Sequence, residues 1–337
     1  MRTFYDIEGQ NRAISILQKA YLNKSIAQAY LFEGISGVGK SLVAKIFIKL
    51  INCENPVDRL NPCNNCKNCR AVDNGTFLDF LHIKPSSAKE IIKINTIRDI
   101  EEKISYKAYM GTYKAVLIED AEQMNISAAN ALLKTLEEPP PFTVFILTVS
   151  RVSSLPDTIL SRCQRILFNP LSYETIYSNL KKDYNLPEND LKTVALISQG
   201  SMTMAKDILK NDILSKRREF IETVFTASNL KLAFTIKYIK KMIKEFKGEK
   251  FYFLIFFLEI IKSILRDAFV IKSGLPDNSL LNPDYKNISS KIALKDDYII
   301  TNEIEKITVL QKSVLTNVNL EIALEEYFIS FLKRGVV

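Results

Sequence analysis

Short apolar runs alternate with helix-period stretches over the first half of the chain. Residues 29–33, 78–83, 115–119 and 144–149 each read as a buried strand, and 164–168 as a fifth. Such runs, separated by amphipathic crossover segments, predict a mainly parallel α/β sheet, because the crossover helices cover both faces of parallel strands. After Pro170 the strand-like runs fade. Residues 172 to about 210 predict a small helical unit broken at Gly200. From about 213 onward apolar residues recur at i, i+3, i+4 and i+7, the period of helices with one buried face. Residues 273–297, rich in Pro, Asn, Asp and Ser, read as a loop between helices. Three domains are expected: α/β over 1–170, small helical over 171–212, and larger helical over 213–337.

The first strand runs into Gly34-Ile-Ser-Gly37-Val-Gly39-Lys40-Ser41, which fits G-x-x-x-x-G-K-[ST] between a strand and a helix. Glycines at 34, 37 and 39 let the loop wrap so that backbone N–H groups face phosphates, and the following helix N-terminus adds positive potential. Lys40 is expected to reach the β- and γ-phosphates of ATP or ADP, and Ser41 to ligate Mg²⁺. The acidic partner of such a loop should end a later strand, and Glu119-Asp120 does so.

Four of the five cysteines fall within seventeen residues, as Cys53-x9-Cys63-x2-Cys66-x2-Cys69. The short spacings let thiolates converge on one ion, so a structural Zn²⁺ site over 53–69 is expected; the C-x2-C-x2-C run is also shared with some iron–sulfur proteins. Cys163 reads as an ordinary buried cysteine and His82, the single histidine, as structural.

Composition narrows the classes further. With 47% hydrophobic and 25% charged residues the chain can bury real cores. A net charge of +8, from 46 basic and 38 acidic residues mixed along the chain, permits contact with polyanions without establishing it. The longest apolar run, 251–258, is followed by Glu259, Lys262, Arg266 and Asp267, and so falls short of the ~20 residues of a membrane span. The N-terminus reaches Asp6 with no apolar signal core, so a cytoplasmic protein without membrane contact is expected.

Further segments carry a resemblance. Asn130-Ala-Leu-Leu-Lys-Thr-Leu-Glu-Glu-Pro139 resembles the stretch after the Walker B strand of bacterial clamp-loader subunits, and Ser161-Arg162-Cys163 resembles their S-R-C motif. Residues 317–325 are similar to their C-terminal collar helix, and the cysteine insertion has the matching position, though its first gap is nine residues where eight is common. The resemblance runs along essentially the whole chain and is strongest over 29–163. It implies an AAA+ P-loop domain with a zinc-binding insertion, a helical lid over 171–212 and an all-α collar over 213–337. It also implies a place in a ring with gamma/tau-type ATPases and a delta-type subunit, acting on a sliding clamp and primed DNA through the complex. Arg162 would be an arginine finger reaching a neighbour's ATP site, with an internal ion pair to Asp157 or Glu138 as the alternative. Ser150 would occupy the sensor position after the fourth strand.

Within this family the motor type is gamma/tau and the stator type delta-prime. The motor's Asp-Glu pair is inverted here as Glu119-Asp120, leaving the shorter Asp120 at the catalytic position. Thr203 stands where the motor carries a sensor arginine, and the chain stops after the collar. These departures favour the delta-prime type, with nucleotide bound and turnover weak or absent; a gamma/tau-type motor hydrolysing ATP itself is the alternative. A nucleic-acid-binding zinc module ranks behind both, because the insertion has no basic, aromatic-rich flank. The seven lysines over 231–250 would line a DNA channel or form the solvated face of a collar helix.

Overall fold

The computed structural model describes residues 2–85, 90–225, 232–245, 252–313 and 320–333. Residues 317–319 of the collar-like segment, Phe251, and Lys231, Lys247 and Lys250 lie outside these residues. The chain divides into two compact units, the first made of Met1–Asn179 with Gln199–Met204, the second of Leu180–Ser198 with Ala205–Val337.

The first unit is built on five parallel strands, β1 (Ala29–Glu33), β2 (Phe80–Ile83), β3 (Lys114–Ile118), β4 (Thr143–Val149) and β5 (Gln164–Leu167), in the order β2-β3-β4-β1-β5. Strands β1, β3 and β4 are buried throughout, which is why their sequences are continuously apolar instead of alternating. The pleat sends successive side chains to opposite faces. Tyr30, Phe32, Leu117 and Ile146 pack with α1 (Asn11–Leu22), α2 (Lys40–Ile51) and α3 (Lys67–Asn74). Leu31, Val116, Ile118 and Leu147 pack with α4 (Ile94–Ser105), α5 (Ile126–Glu137) and α6 (Asp157–Leu160). Strand β2 begins two residues later than its apolar pattern suggests. The buried Asp79 carboxylate accepts the backbone N–H groups of Tyr109, Met110 and Gly111 at 2.6–2.8 Å, so this position anchors a turn.

Helices α7 (Tyr173–Asp183), α8 (Glu188–Ile197) and α9 (Met202–Lys210) follow the sheet, with Gly200 at φ +85° in the break between the last two. The second unit continues with α10 (Ile213–Phe225), α11 (Leu232–Glu245), α12 (Tyr252–Lys272), α13 (Lys286–Ile292), α14 (Asp297–Ser313) and α15 (Leu320–Lys333). Phe220 packs its ring 4.9 Å from Phe257 and 6.0 Å from Phe328, which joins α10, α12 and α15 in one aromatic core. Helix α11 is amphipathic: Ile239, Met242 and Ile243 are buried while Lys237, Lys240, Lys241 and Lys244 are exposed, and Lys240 pairs with Glu325 at 3.0 Å. This arrangement is a solvated lysine face over an apolar stripe. No helix among the described residues is long and apolar enough to cross a membrane.

The polar stretch 273–297 is not simply a loop, since it contains two 3-10 turns and α13. A buried polar network holds it. Asp267, fully buried on α12, accepts N–H groups from Leu281 (2.9 Å) and Asn282 (2.7 Å) and the Asn282 side-chain amide (3.0 Å). The buried Arg217 on α10 donates to Asn282 at 2.9 Å and to Asp284 at 2.6 and 3.1 Å. Removing one acceptor from such a network strands several desolvated donors, so Asp267→Ala should destabilise this unit by about 3 kcal/mol or more. Urea unfolding followed by circular dichroism would show it, and an unchanged midpoint would contradict the network's role.

Candidate nucleotide site and cysteine cluster

Parallel strands end on the same edge of their sheet, and β4 lies between β1 and β3, so the loops after these three strands converge. The Gly34 N–H donates to the Val149 carbonyl at 3.2 Å, tying the ends of β1 and β4 together. The loop then turns through Gly37 at φ +83° and Gly39 at φ +98°, and Gly39 caps α2. A Cβ at Gly37 would collide with Ser201 Oγ and lie 2.9 Å from Thr203, while the Met202 N–H donates to the Gly37 carbonyl at 3.0 Å. Only glycine allows both the left-handed turn and this close approach. The result is a run of backbone N–H groups at a helix N-terminus, suited to a phosphate.

Lys40 is buried, and its ammonium donates to the carbonyls of Gly34 and, at 2.9 Å, Ile35. Burial lowers its pKa, opposed by the charges of Asp120, Glu122 and Glu119. Those three acids follow β3 in the turn at its end. Burial pushes the Glu119 carboxyl up, but hydrogen bonds from His82 and Ser41 outweigh it and hold the group below the usual glutamate range. His82 Nε2 lies 2.7 Å from Glu119 Oε1. Asp120 sits in left-handed backbone at φ +49°, and its N–H donates to Thr148 Oγ1 at 3.2 Å. Its carboxyl is pushed up by burial and by Glu122 and Glu119, against the pull of Lys40. Glu122 Oε1 accepts the Ser150 N–H at 2.9 Å, joining the turn after β3 to the end of β4, while Glu122 Oε2 is buried without a protein partner.

The structure therefore assembles Gly34, Gly37, Gly39, Lys40, Ser41, Glu119, Asp120, Ser150 and Thr203 in one neighbourhood. Sequence reasoning missed two members, His82 and Glu122. His82 stands opposite Leu117 in the β2–β3 register, two positions short of Glu119, a relation that appears only once strand order is known. The signal for Glu122 was a third acid in Glu119-Asp120-Ala121-Glu122.

Arg162 lies elsewhere, just past α6. Its guanidinium donates to Glu137 Oε1 at 2.6 Å and to the Thr158 carbonyl at 2.9 Å. The internal partner is thus Glu137 at the end of α5, not Asp157 or Glu138.

The sulfurs of Cys53, Cys63, Cys66 and Cys69 all lie within 4.8 Å of one another. Asn64, at φ +57°, turns the chain so that the N–H groups of Asn65 (3.4 Å) and Cys66 (3.2 Å) point at Cys63 Sγ; the Cys63 N–H points at Cys53 Sγ (3.2 Å), and the Cys69 N–H at Cys66 Sγ (3.4 Å). Burial alone would push Cys63 up, but these donors bring it down to about 6. Cys53 and Cys69 are pushed up, chiefly by burial. The donor set suits one tetrahedral ion, for which a Zn–S bond of ~2.3 Å places sulfurs ~3.8 Å apart. Buried Lys49 of α2 braces the insertion by donating to Asn64, to both Asp73 oxygens at 3.1 Å and to the Arg2 carbonyl at 3.2 Å. Cys163 is buried and apart from the cluster, its thiol pushed up to about 12 by burial.

Residues 9–172 match the family described as "DNA polymerase III, delta subunit". Over 216 residues, 62% of its length, this chain is 38% identical to DNA polymerase III subunit tau of Bacillus subtilis (strain 168), covering 38% of that protein. It is 35% identical to subunit tau/gamma of Haemophilus influenzae over 60% of this chain and 29% of that one, and 33% identical to subunit tau of Escherichia coli (strain K12) over 64% and 33%. The chain thus spans between 29% and 38% of the length of these relatives. A solved gamma-subunit-related protein of Thermotoga maritima aligns over 96% of this chain and 99% of its own, at 19% identity and a TM-score of 0.44, too loose a likeness to carry weight.

Proposed function

We propose that this chain is a cytoplasmic clamp-loader subunit of the delta-prime type. In this reading it binds ATP or ADP with Mg²⁺ at 34–41, supplies Arg162 to a neighbouring subunit's ATP site, and helps load a sliding clamp on primed DNA beside gamma/tau-type and delta-type subunits. The AAA+ domain would cover 1–170 with a Cys₄ zinc module at 53–69, the lid 171–212 and the collar 213–337. The observation that carries the reading is a complete phosphate loop facing a reversed acidic pair. Lys40 and the loop N–H groups would hold phosphates, and Ser41 and Glu119 would hold the metal, whose charge would screen the phosphate oxygens. Asp120 stands where a base or water-orienting group is needed, but its side chain is one methylene short of glutamate and its backbone is held by Thr148.

Lys40→Ala should weaken ATP binding by about 100-fold, the loss of two charge-assisted hydrogen bonds. Isothermal titration calorimetry checks this. The isolated wild-type chain should turn over ATP more slowly than ~1 s⁻¹. A faster steady-state rate would replace this reading with the second one, a gamma/tau-type motor. That alternative is favoured by the complete phosphate loop and by relatives whose names are tau and tau/gamma.

A further inference from the structure

His82 was expected to serve only the fold, and its surroundings point elsewhere. It sits near the end of the edge strand β2, with its side chain 27% exposed, so little apolar packing depends on it. Two contacts hold the ring. Phe80, on the same face of the strand two residues earlier, stacks on it at 5.7 Å between centroids and 12° between planes. Glu119 Oε1 lies 2.7 Å from Nε2. A carboxylate oxygen accepts, so in this pair Nε2 carries the proton and donates. Ser41, in the first turn of α2, also helps hold the Glu119 carboxyl low, so the edge strand, the end of β3 and α2 meet at this carboxylate.

We propose that His82 is a positioning residue of the nucleotide site, fixing the Glu119 carboxylate beside Ser41 in the orientation that receives the nucleotide's divalent cation. The inference rests on the nucleotide reading above and adds a residue to it. Glu119 ends its strand at the sheet rim, where a free carboxylate has several rotamers of similar energy. The bond to His82 commits one oxygen and selects one rotamer, and Phe80 in turn limits the rotation of the imidazole. Groups that hold a metal-binding carboxylate from behind act on metal affinity without touching the nucleotide.

The test compares wild type, His82→Ala, His82→Gln and Lys40→Ala by calorimetry, with ATP titrated in Mg²⁺ and in EDTA. His82→Ala should bind ATP about tenfold more weakly in Mg²⁺ and equally well in EDTA, with an unchanged melting temperature. His82→Gln, which keeps a donor of similar reach, should recover most of the loss. Because the chain has a single histidine, its imidazole NMR signals are unambiguous, and they should shift when Mg²⁺ joins ATP-bound wild-type protein. Equal losses in Mg²⁺ and EDTA, no loss, tighter binding in Mg²⁺, or a glutamine variant no better than alanine would each overturn the inference. Lys40→Ala separates the two levels. If it binds ATP as well as wild type, the nucleotide site itself is wrong and the inference falls with it; if it fails to bind while His82→Ala behaves as wild type, only the inference falls.

Discussion

On the proposed delta-prime reading, a loader assembled with the Arg162→Ala chain should hydrolyse ATP about 10³-fold more slowly at the one site this chain would adjoin. The Arg162 guanidinium is a planar fork at the surface, one arm on Glu137 and the other on the Thr158 carbonyl. An ion pair this exposed, with side chains 34% and 51% accessible, contributes about 0–1 kcal/mol, so the fold does not depend on it. The same fork matches the equatorial oxygens on which charge develops in phosphoryl transfer, and a neighbour's γ-phosphate would outbid a single solvated carboxylate. The mutant chain should therefore keep its melting temperature and its own nucleotide affinity. Total turnover would fall only in part, since other sites in such a loader would keep their own arginines, and Arg162→Lys should not restore it, because an ammonium cannot make the paired contact. ATPase and clamp-loading rates of reconstituted complexes are the measurement. A fully assembled Arg162→Ala complex with wild-type rates would remove this residue from the mechanism.

Protein purified without added metal should contain about one zinc per chain, and Cys66→Ser should lose most of it. Cys66 contributes twice, as one of four clustered sulfurs and as the N-cap of α3 that accepts the Cys69 N–H. Structural zinc in short peptides contributes about 10–16 kcal/mol of apparent binding energy, far more than the few apolar contacts of this insertion could replace. Hydrogen exchange in the variant should rise over 53–69 and spread into α3, whose Ala71 and Val72 reach the core on that face of the sheet. Protection over β1, β3 and β4 should persist, because their burial depends on helices on both faces and not on the insertion. Iron in the elemental analysis, or a folded wild-type sample with no metal, would sink the assignment.

Much of this arrangement was written locally along the chain. Strands β1, β3 and β4 are short apolar runs, and each run is its own evidence, because burial on both faces leaves no polar alternation to mask it. The glycine spacing of 34–41 and the cysteine spacing of 53–69 are likewise short-range. A few residues of backbone can bring such groups together, so the spacing alone pointed to a phosphate loop and a thiolate cluster. The helices on either side of Gly200 were legible for the same reason. The stretch 273–297 misled, since its polar residues suggested solvent, whereas Asn282 turns inward onto Asp267 and Arg217.

What the tertiary structure alone decided is which strand ends meet and which side chains they bring together. His82 and Glu119 are 37 positions apart and become neighbours only through the β2–β3 register. Glu122 reaches the Ser150 N–H only because β4 lies beside β3. Arg162 finds Glu137 across 25 residues, one position away from the glutamate its sequence neighbourhood suggested. Local periodicity sets what each segment becomes, since it depends on side chains within a few residues. Strand order and register set which segments touch, and they follow from the packing of the whole sheet between its two helical layers, which no window of the sequence contains.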